Sequence, residues 1–421
     1  METNTHRVNR SRAISLVLFT LILTYGTLYP FSGWRWPHDN IDSLILRWPQ
    51  YISRSDMLTN FIVYVPLGFF AVRLLSEYLC PITIILITTL IGVVFSFTLE
   101  FLQAFLPNRV TSILDVLLNV SGTFAGAVFS VIIGSQTSIG KKLLTLRDNM
   151  FLQGYLSNLG LIILGLWALS QLSPLVPSFD IDNLRYGLKP LWHTLNNPDL
   201  LNIYEMAIYA LNIVGLGLLI TTLIRPNRNV MRIFPLFVIV VILLKIPVVS
   251  RQISLEAVLG VIIGLSLINF MRHFKRPFLI ASAIVFFIIG FIISELYHKN
   301  DFYAQTHIFN WMPFLGQMSN INGFADIVGD IWPFMALAYL ALLACPSQKL
   351  LVAISGGLIL SIFVFILEWM QQNIPSRYPD ITDIFLAMFG WISPWFYSGA
   401  QYNNVDKESE PTNNDQAFNI T

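Results

Sequence analysis

Long apolar runs are the feature of this sequence that most restricts its fold. A span of the bilayer core needs about 20 apolar residues, and a segment in lipid must be helical because its backbone finds no water to bond. We therefore predict an all-α polytopic membrane protein with about 12 transmembrane helices. The predicted spans are residues 13–30, 58–76, 82–105, 113–134, 155–173, 202–224, 233–249, 254–271, 278–296, 327–344, 350–370 and 381–398.

The composition excludes most classes of soluble protein. Only 12% of the residues are charged and 55% are hydrophobic, whereas soluble domains carry roughly 25% charged residues. Since the formal net charge is +1, no basic surface is expected, and nucleic acid is excluded as a partner. The lipid bilayer is the partner that this composition indicates.

The distribution of Lys and Arg predicts the orientation in a cytoplasmic (inner) membrane. With the N-terminus inside, the cytoplasmic segments hold 15 of these residues, the opposite side holds 9, and Lys245 falls within a span. We expect both termini to be cytoplasmic, together with the thiols of Cys80 and Cys345. The first span lacks a signal-peptide cleavage site and is expected to be retained. Residues 400–421 are polar, which predicts a disordered cytoplasmic tail.

Polar residues recur along the chain at fixed distances, which predicts internal repeats. Six residues from Glu100 to Gly122 match six residues from Glu368 to Gly390 at an offset of 268, and Arg251, Ser254 and Gly264 form a weaker match at an offset of 142. Four spans per unit is an even number, so the units insert in the same direction. We predict three tandem four-helix repeats: residues 1–134, a degenerate unit at 151–271, and residues 276–399.

The recurring polar residues form a candidate ligand-binding site near the predicted outer face. Glu100 and Gln103 share one helical face, Asp115 and Asn119 share a face of the next helix, and Asn60 opens the second helix. Ionisable groups at membrane depth usually mark function. A Glu100–Arg109–Asp115 network could either pin the helical hairpin or present Arg109 to an anionic group. The counterparts in the last repeat are Asp330, Glu368, Gln371, Arg377 and Asp383.

Evidence for enzymatic chemistry is weak, so the sequence favours a protein without catalytic residues, metal or cofactor. No HExxH, GxSxG, P-loop or CxxC motif occurs. One histidine lies in the outer loop of each unit, and an interfacial role is favoured there over a shared metal site; these are His38, His193 and His307. Five tryptophans predict an aromatic belt on the outer side: Trp34, Trp36, Trp48, Trp192 and Trp311.

The first unit resembles the VanZ-like family. The resemblance rests on Asn60-Phe-Ile-Val-Tyr-Val-Pro-Leu-Gly, on Glu100-xx-Gln-xxx-Pro-x-Arg, and on Asp115-xxx-Asn-xx-Gly. It covers about residues 13–134 and recurs around residues 278–398, where Asp330 stands for Asn60 and Ala387 for Asn119. The resemblance implies a polytopic envelope protein, since the founding member is associated with low-level resistance to teicoplanin. The site positions that it implies are Asn60, Glu100, Gln103, Arg109, Asp115 and Asn119.

Three functions are compatible with these features. The leading hypothesis is an outward-facing polar site that recognises a lipid-linked or cell-wall-related ligand and modulates envelope properties or glycopeptide sensitivity. The first alternative is a transporter of a small amphipathic solute, and the second is a membrane-embedded transferase or hydrolase with Glu100 as the base.

Overall fold

Helices make up most of the part of the chain that the structure describes. This computed structural model describes residues 2–29, 31–36, 48–49, 54–76, 79–107, 109, 111–297, 305–319, 323–346, 349–375 and 377–408. No strand occurs among these residues, so the predicted all-α class is confirmed for them. His38 and residues 409–421 of the predicted tail lie outside the described residues.

The chain divides into two compact units. The N-terminal unit comprises Met1–Asn149 with Pro174–Val176, and the C-terminal unit comprises Met150–Ser173 with Pro177–Thr421. The boundary after Asn149 falls in the segment predicted to link the first two repeats. The second and third predicted repeats share one unit, so the three-repeat division stays a prediction.

The N-terminal unit places two helices in unusually close contact. A Cβ atom added at Gly122 would lie 2.1 Å from the carbonyl oxygen of Phe61, and one at Gly126 would lie 1.9 Å from that of Val65. Small residues allow membrane helices to approach in this way. The helices of this unit are α1 (Glu2–Leu28), α2 (Arg54–Leu75), α3 (Pro81–Gln103), α4 (Ile113–Ile132) and α5 (Ser138–Met150). The close contact is between α2 and α4.

The C-terminal unit interleaves the helices of the second and third predicted repeats. Its helices are α6 (Tyr155–Leu172), α7 (Ile181–Asn196), α8 (Ile203–Thr221), α9 (Val230–Leu244), α10 (Leu255–Met271), α11 (Arg276–Leu296), α12 (Leu315–Ser319), α13 (Gly323–Ala344), α14 (Lys349–Gln371) and α15 (Ile381–Glu408). Helix α6 packs on α13, and α8 packs on both α10 and α11. One continuous core therefore contains Phe234, Phe287, Phe334 and Tyr339.

The apolar helices make the protein a multi-pass membrane protein. Eight helices among the described residues are long and apolar enough to cross a membrane, and Phe19–Leu28, Val230–Leu244 and Leu255–Met271 form shorter apolar helices. Helix α15 begins with the last predicted span and continues beyond it to Glu408, into the segment predicted to be a disordered tail. Each predicted span thus corresponds to a helix, while the number of 12 membrane crossings stays a prediction.

Helix α7 occupies a segment that the sequence analysis assigned to an outer loop. Its exposed apolar residues Ile181, Trp192 and Leu195 lie on one side, and Arg185 and Lys189 lie on an adjacent one. Such a helix is typical of the membrane interface. A search for continuous apolar runs misses it because its polar residues lower the average hydropathy. The five tryptophans predicted for the outer belt are all exposed: Trp34, Trp36, Trp48, Trp192 and Trp311.

The two cysteines can report the orientation of the chain, because both are free and exposed. We expect a membrane-impermeant maleimide to label Cys80 and Cys345 in inside-out vesicles and neither in right-side-out vesicles. A hydrogen bond with Thr83 lowers the pKa of the Cys80 thiol, so Cys80 should react faster than Cys345 at neutral pH. The C80S and C345S variants assign the two rates, and labelling from the outer side would contradict the predicted orientation.

Gly260 tests the packing of α8 against α10. An added Cβ there would lie 2.6 Å from the Cβ of Tyr209 and 2.7 Å from the carbonyl oxygen of Met206. We expect Gly260→Ala to lower the free energy of unfolding by about 1–3 kcal/mol because the two helices must separate. Gly165→Ala is the matched control, since no neighbouring atom lies within 4 Å of its added Cβ. Unfolding temperatures are measured in detergent. If both variants lower the unfolding temperature equally, the result argues against this packing.

Candidate functional site

A buried carboxylate connects the end of α3 to the start of α4. Glu100 lies in the last turn of α3 and is only 5% exposed. Its Oε2 atom accepts a hydrogen bond from the main-chain N–H of Ser112 at 3.2 Å. The hydroxyl of Ser112 accepts from the N–H of Leu114 at 3.2 Å, which is the usual arrangement of a helix N-cap. The carboxylate therefore satisfies a backbone donor that has no helical partner.

Two further candidate residues are buried cross-links between helices. Gln103 donates from Nε2 to the carbonyl oxygen of Thr27 at 2.9 Å, which ties α3 to the end of α1. Asn119 donates from Nδ2 to the hydroxyl of Ser96 at 3.0 Å, which ties α4 to α3. Both side chains are buried, so they lie inside the helix bundle and do not line an open surface.

Asn60 and Asp115 form a pair between α2 and α4. The Nδ2 atom of Asn60 donates to Oδ1 of Asp115 at 2.8 Å. Both side chains are partly exposed. The neutral amide therefore satisfies one oxygen of the carboxylate without neutralising its charge.

Arg109 is exposed, and main-chain carbonyl groups hold its guanidinium. Its Nη2 atom donates to the carbonyl oxygens of Gly26 at 3.5 Å and Tyr29 at 3.3 Å. Among the residues described, Arg109 forms no direct ion pair with Glu100 or Asp115. The charges of Arg109 and Asp115 nevertheless both act on Glu100. The three predicted network residues are therefore neighbours at one end of the bundle, and each bonds a different partner.

The C-terminal unit contains the same two contacts at the corresponding repeat positions. Glu368 is 1% exposed and accepts at Oε2 from the N–H of Asp380 at 2.9 Å, as Glu100 does from Ser112. Arg377 donates to the carbonyl oxygens of Ser294 and Tyr297, the latter at 3.0 Å. These two acceptors correspond to Gly26 and Tyr29 at the offset that relates Glu368 to Glu100.

Gln371 differs from Gln103 in its acceptor. Its Nε2 atom donates to Oε1 of Glu368 at 2.7 Å and to Oε2 of Glu295 at 2.8 Å. Glu295 corresponds to Thr27 at the same repeat offset. A carboxylate has thus been added where the N-terminal unit uses a main-chain carbonyl.

The largest departure is the replacement of the Asn60–Asp115 pair by two acids. An added Cβ at Gly390 would lie 2.5 Å from the carbonyl oxygen of Ile331, as one at Gly122 would lie against Phe61, so Asp330 takes the place of Asn60. The charge of Asp330 acts on Asp383. Neither carboxylate has a hydrogen-bond donor within the described part of the chain.

A cavity of about 550 Å³ adjoins these two acids within the C-terminal unit. Its volume falls in the range of roughly 300–1,000 Å³ that is typical of small-molecule sites. The acidic and basic residues that line it are Glu295, Asp326, Asp330, Asp383, Arg251 and Arg377. If all were ionised, the lining would carry two more negative than positive charges.

Several cavity residues were absent from the sequence-based set of site residues. Asp326 precedes Asp330 by four residues on α13, a spacing that places both on one helical face, and the sequence contains that signal. Arg251 matches Arg109 at an offset of 142 but lines a cavity together with residues of the third predicted repeat. No pattern in the sequence predicts this, because it depends on the interleaving of helices.

His193 and His307, the two outer-loop histidines within the described ranges, belong to no metal-binding group there. His307 approaches the carbonyl oxygen of Arg377 with Nδ1 at 3.1 Å, and its ring lies 3.9 Å from that of Tyr378. No group of three or more His, Cys, Asp and Glu side chains in the described ranges could hold a metal ion.

The Glu100 contact generates a stability prediction. We expect Glu100→Ala to lower the free energy of unfolding by about 1–3 kcal/mol, because the N–H of Ser112 loses its acceptor inside the bundle. Glu100→Gln keeps an oxygen acceptor of similar shape and should cost less. Thermal unfolding of the two variants in the same detergent checks this, and equal losses would argue against the hydrogen bond as the cause.

A comparison with protein families identifies the N-terminal unit. Residues 1–134 match the model of the VanZ/LLP1 family, and this range contains Asn60, Glu100, Arg109 and Asp115. No curated protein and no solved structure matches the chain significantly. Residues 1–134 are therefore similar to the VanZ-like family, and this match supports a VanZ-like assignment of that part of the chain.

Proposed function

We propose that this protein binds an anionic group of a lipid-linked or cell-wall-related ligand at the outer face of the cytoplasmic membrane. Binding would modulate envelope properties, including sensitivity to glycopeptides. One observation carries the proposal: the guanidinium of Arg109 is exposed and held by main-chain carbonyls, with no carboxylate paired to it directly among the described residues.

The chemistry of the guanidinium supports an anionic ligand. Arginine has five N–H donors in a planar arrangement, and the carbonyl groups of Gly26 and Tyr29 engage a single nitrogen, Nη2. The other nitrogens match the paired oxygens of a phosphate or carboxylate. Because two backbone contacts already orient the side chain, less conformational freedom is lost when a ligand binds.

An aromatic surface near the Arg109 turn supports a ligand with a lipid portion. Trp36 is 74% exposed, and its ring lies edge to face with that of Phe105 at 5.3 Å. Phe105 precedes Arg109 by four residues. Tryptophan side chains favour the boundary between headgroups and acyl chains, which is where a lipid-linked polar group would be found.

Transport of a small amphipathic solute is a second candidate function. The cavity of about 550 Å³ in the C-terminal unit favours it, because ionisable residues enclosed by membrane helices often mark solute pathways. Uptake of labelled solutes into proteoliposomes separates transport from binding alone.

The enzymatic alternative has less support. A general base must reach a proton of the substrate, but Glu100 is buried and bonded to the N–H of Ser112. If Glu100→Gln retains biological activity, Glu100 is not catalytic. A selective loss of activity in this variant would favour an enzymatic function.

The proposal predicts a phenotype that depends on Arg109. A deletion strain should change its sensitivity to teicoplanin or another envelope-targeting antibiotic, and the wild-type gene should restore it. We expect Arg109→Ala to fail in complementation while its level in the membrane stays normal. Loss of a charge-assisted contact of about 1.5–3 kcal/mol corresponds to a roughly 10- to 100-fold loss of affinity.

Two further variants distinguish recognition from a structural role. Arg109→Lys keeps the charge but not the planar set of donors, so partial complementation is expected. Arg185→Ala removes an exposed arginine of α7 and should complement fully. Reduced protein levels of Arg109→Ala would favour a structural role, and full complementation by it would refute the proposal.

A further inference from the structure

We propose that the cavity of the C-terminal unit binds an organic ammonium group, which Asp330 and Asp383 hold between them. No residue of the N-terminal unit takes part, and the proposal does not depend on the anionic ligand of Arg109. It rests on three independent observations: uncompensated carboxylates, buried polar atoms without partners, and an aromatic lining.

The first observation is a change of charge at corresponding positions. In the N-terminal unit the amide of Asn60 bonds the carboxylate of Asp115 at 2.8 Å. At Asp330 the amide has been replaced by a second acid, so a donor has been lost and a negative charge gained.

The basic residues of the cavity do not compensate this pair. Arg377 is held by the carbonyl groups of Ser294 and Tyr297, and its charge acts on Glu295. Arg251 is held by the carbonyl group of Ser173.

The charge of Arg251 acts on Asp326. Asp330 and Asp383 are the two lining acids on which neither arginine acts. Uncompensated charges inside a membrane bundle are costly, and a bound cation would remove that cost.

The second observation is a donor and an acceptor that face no protein partner. The Oε1 atom of Gln317 and the Nη2 atom of Arg251 are both buried, and neither has a hydrogen-bond partner among the described residues. Both side chains line the same cavity. Buried polar atoms are nearly always bonded, so the Oε1 atom of Gln317 indicates a hydrogen-bond donor on the ligand, which an ammonium group supplies, and Arg251 can bond a further polar atom of the same ligand.

The third observation is the aromatic lining, which favours an organic cation over a metal ion. Phe287, Phe291 and Trp332 line the cavity beside the acids. Aromatic faces attract ammonium groups and also pack against an apolar substituent. In the described ranges the acids do not converge into a group that could hold a metal. A cavity of about 550 Å³ also leaves room for more than an ion.

An ammonium group could come from a soluble amine or from an amine-bearing lipid headgroup. Both present the same hydrogen-bond donors and the same charge to Asp330 and Asp383. The acids alone do not distinguish these sources, so the experiment needs a separate arm for each.

The soluble arm uses 2-phenylethylamine as the probe and 2-phenylethanol as its neutral counterpart. Isothermal titration of the full chain in detergent should detect binding of the amine, with at least tenfold weaker binding of the alcohol. Asp330→Asn should weaken amine binding about tenfold or more, because it removes one carboxylate of the pair. The substitution installs the residue type that Asn60 supplies in the N-terminal unit, so the fold should tolerate it.

Two more variants complete the design. Asp383→Asn should weaken amine binding in the same way through the other carboxylate. Asp199→Asn is the matched control, because Asp199 is exposed and lies outside the cavity, and its amine affinity should equal that of the wild type. Unfolding temperatures of all variants are measured in the same detergent.

The lipid arm uses nanodiscs of phosphatidylglycerol with or without phosphatidylethanolamine. If the headgroup is the natural source, phosphatidylethanolamine should compete with the amine probe in the wild type but not in Asp330→Asn. Without competition, a soluble amine is the source. Equal binding of amine and alcohol by the wild type would overturn the proposal, as would unchanged amine affinity in a folded Asp330→Asn variant.

Discussion

Backbone groups at the turns of membrane helices depend on buried side chains for their hydrogen bonds, and this requirement organises both units. Lipid provides no substitute for water at an N–H that lacks a helical partner. Glu100 accepts a hydrogen bond from the main-chain N–H of Ser112, and Glu368 accepts one from the main-chain N–H of Asp380. Each carboxylate thereby fixes where the following helix, α4 or α15, begins. The adjacent arginine in turn binds the carbonyl groups at the end of α1 or α11.

Much of the fold could be predicted from the sequence, because apolar runs and lipid leave few structural alternatives. Each of the twelve predicted segments is a helix, and the VanZ-like resemblance of the first unit is confirmed. Helix α7 was missed because its apolar residues are spaced around an amphipathic helix rather than consecutive. The sequence also did not show that the second and third predicted repeats share one compact unit. Periodicity within a chain does not specify which helices pack together.

The candidate site was predictable in part, since the repeated polar positions identified most of its residues. What the sequence did not reveal was their different use. Glu100, Gln103 and Asn119 are internal cross-links, while Arg109 is exposed. In the C-terminal unit, the acids at 295 and 330 replace a carbonyl acceptor and an amide donor of the N-terminal unit. These two replacements contribute to the negatively charged lining of a cavity in the C-terminal unit.

The interleaving of α6 with α13 and of α8 with α11 has a consequence for biosynthesis. Helix α6 ends at Leu172, whereas its partner α13 begins only at Gly323, so α6 leaves the ribosome long before α13 has been made. Helix α6 must therefore remain in the membrane with an unmatched surface until most of the chain has been inserted. The N-terminal unit has a much shorter delay, since only α3 separates its partners α2 and α4. Its assembly can accordingly precede, during translation, the closure of the C-terminal core.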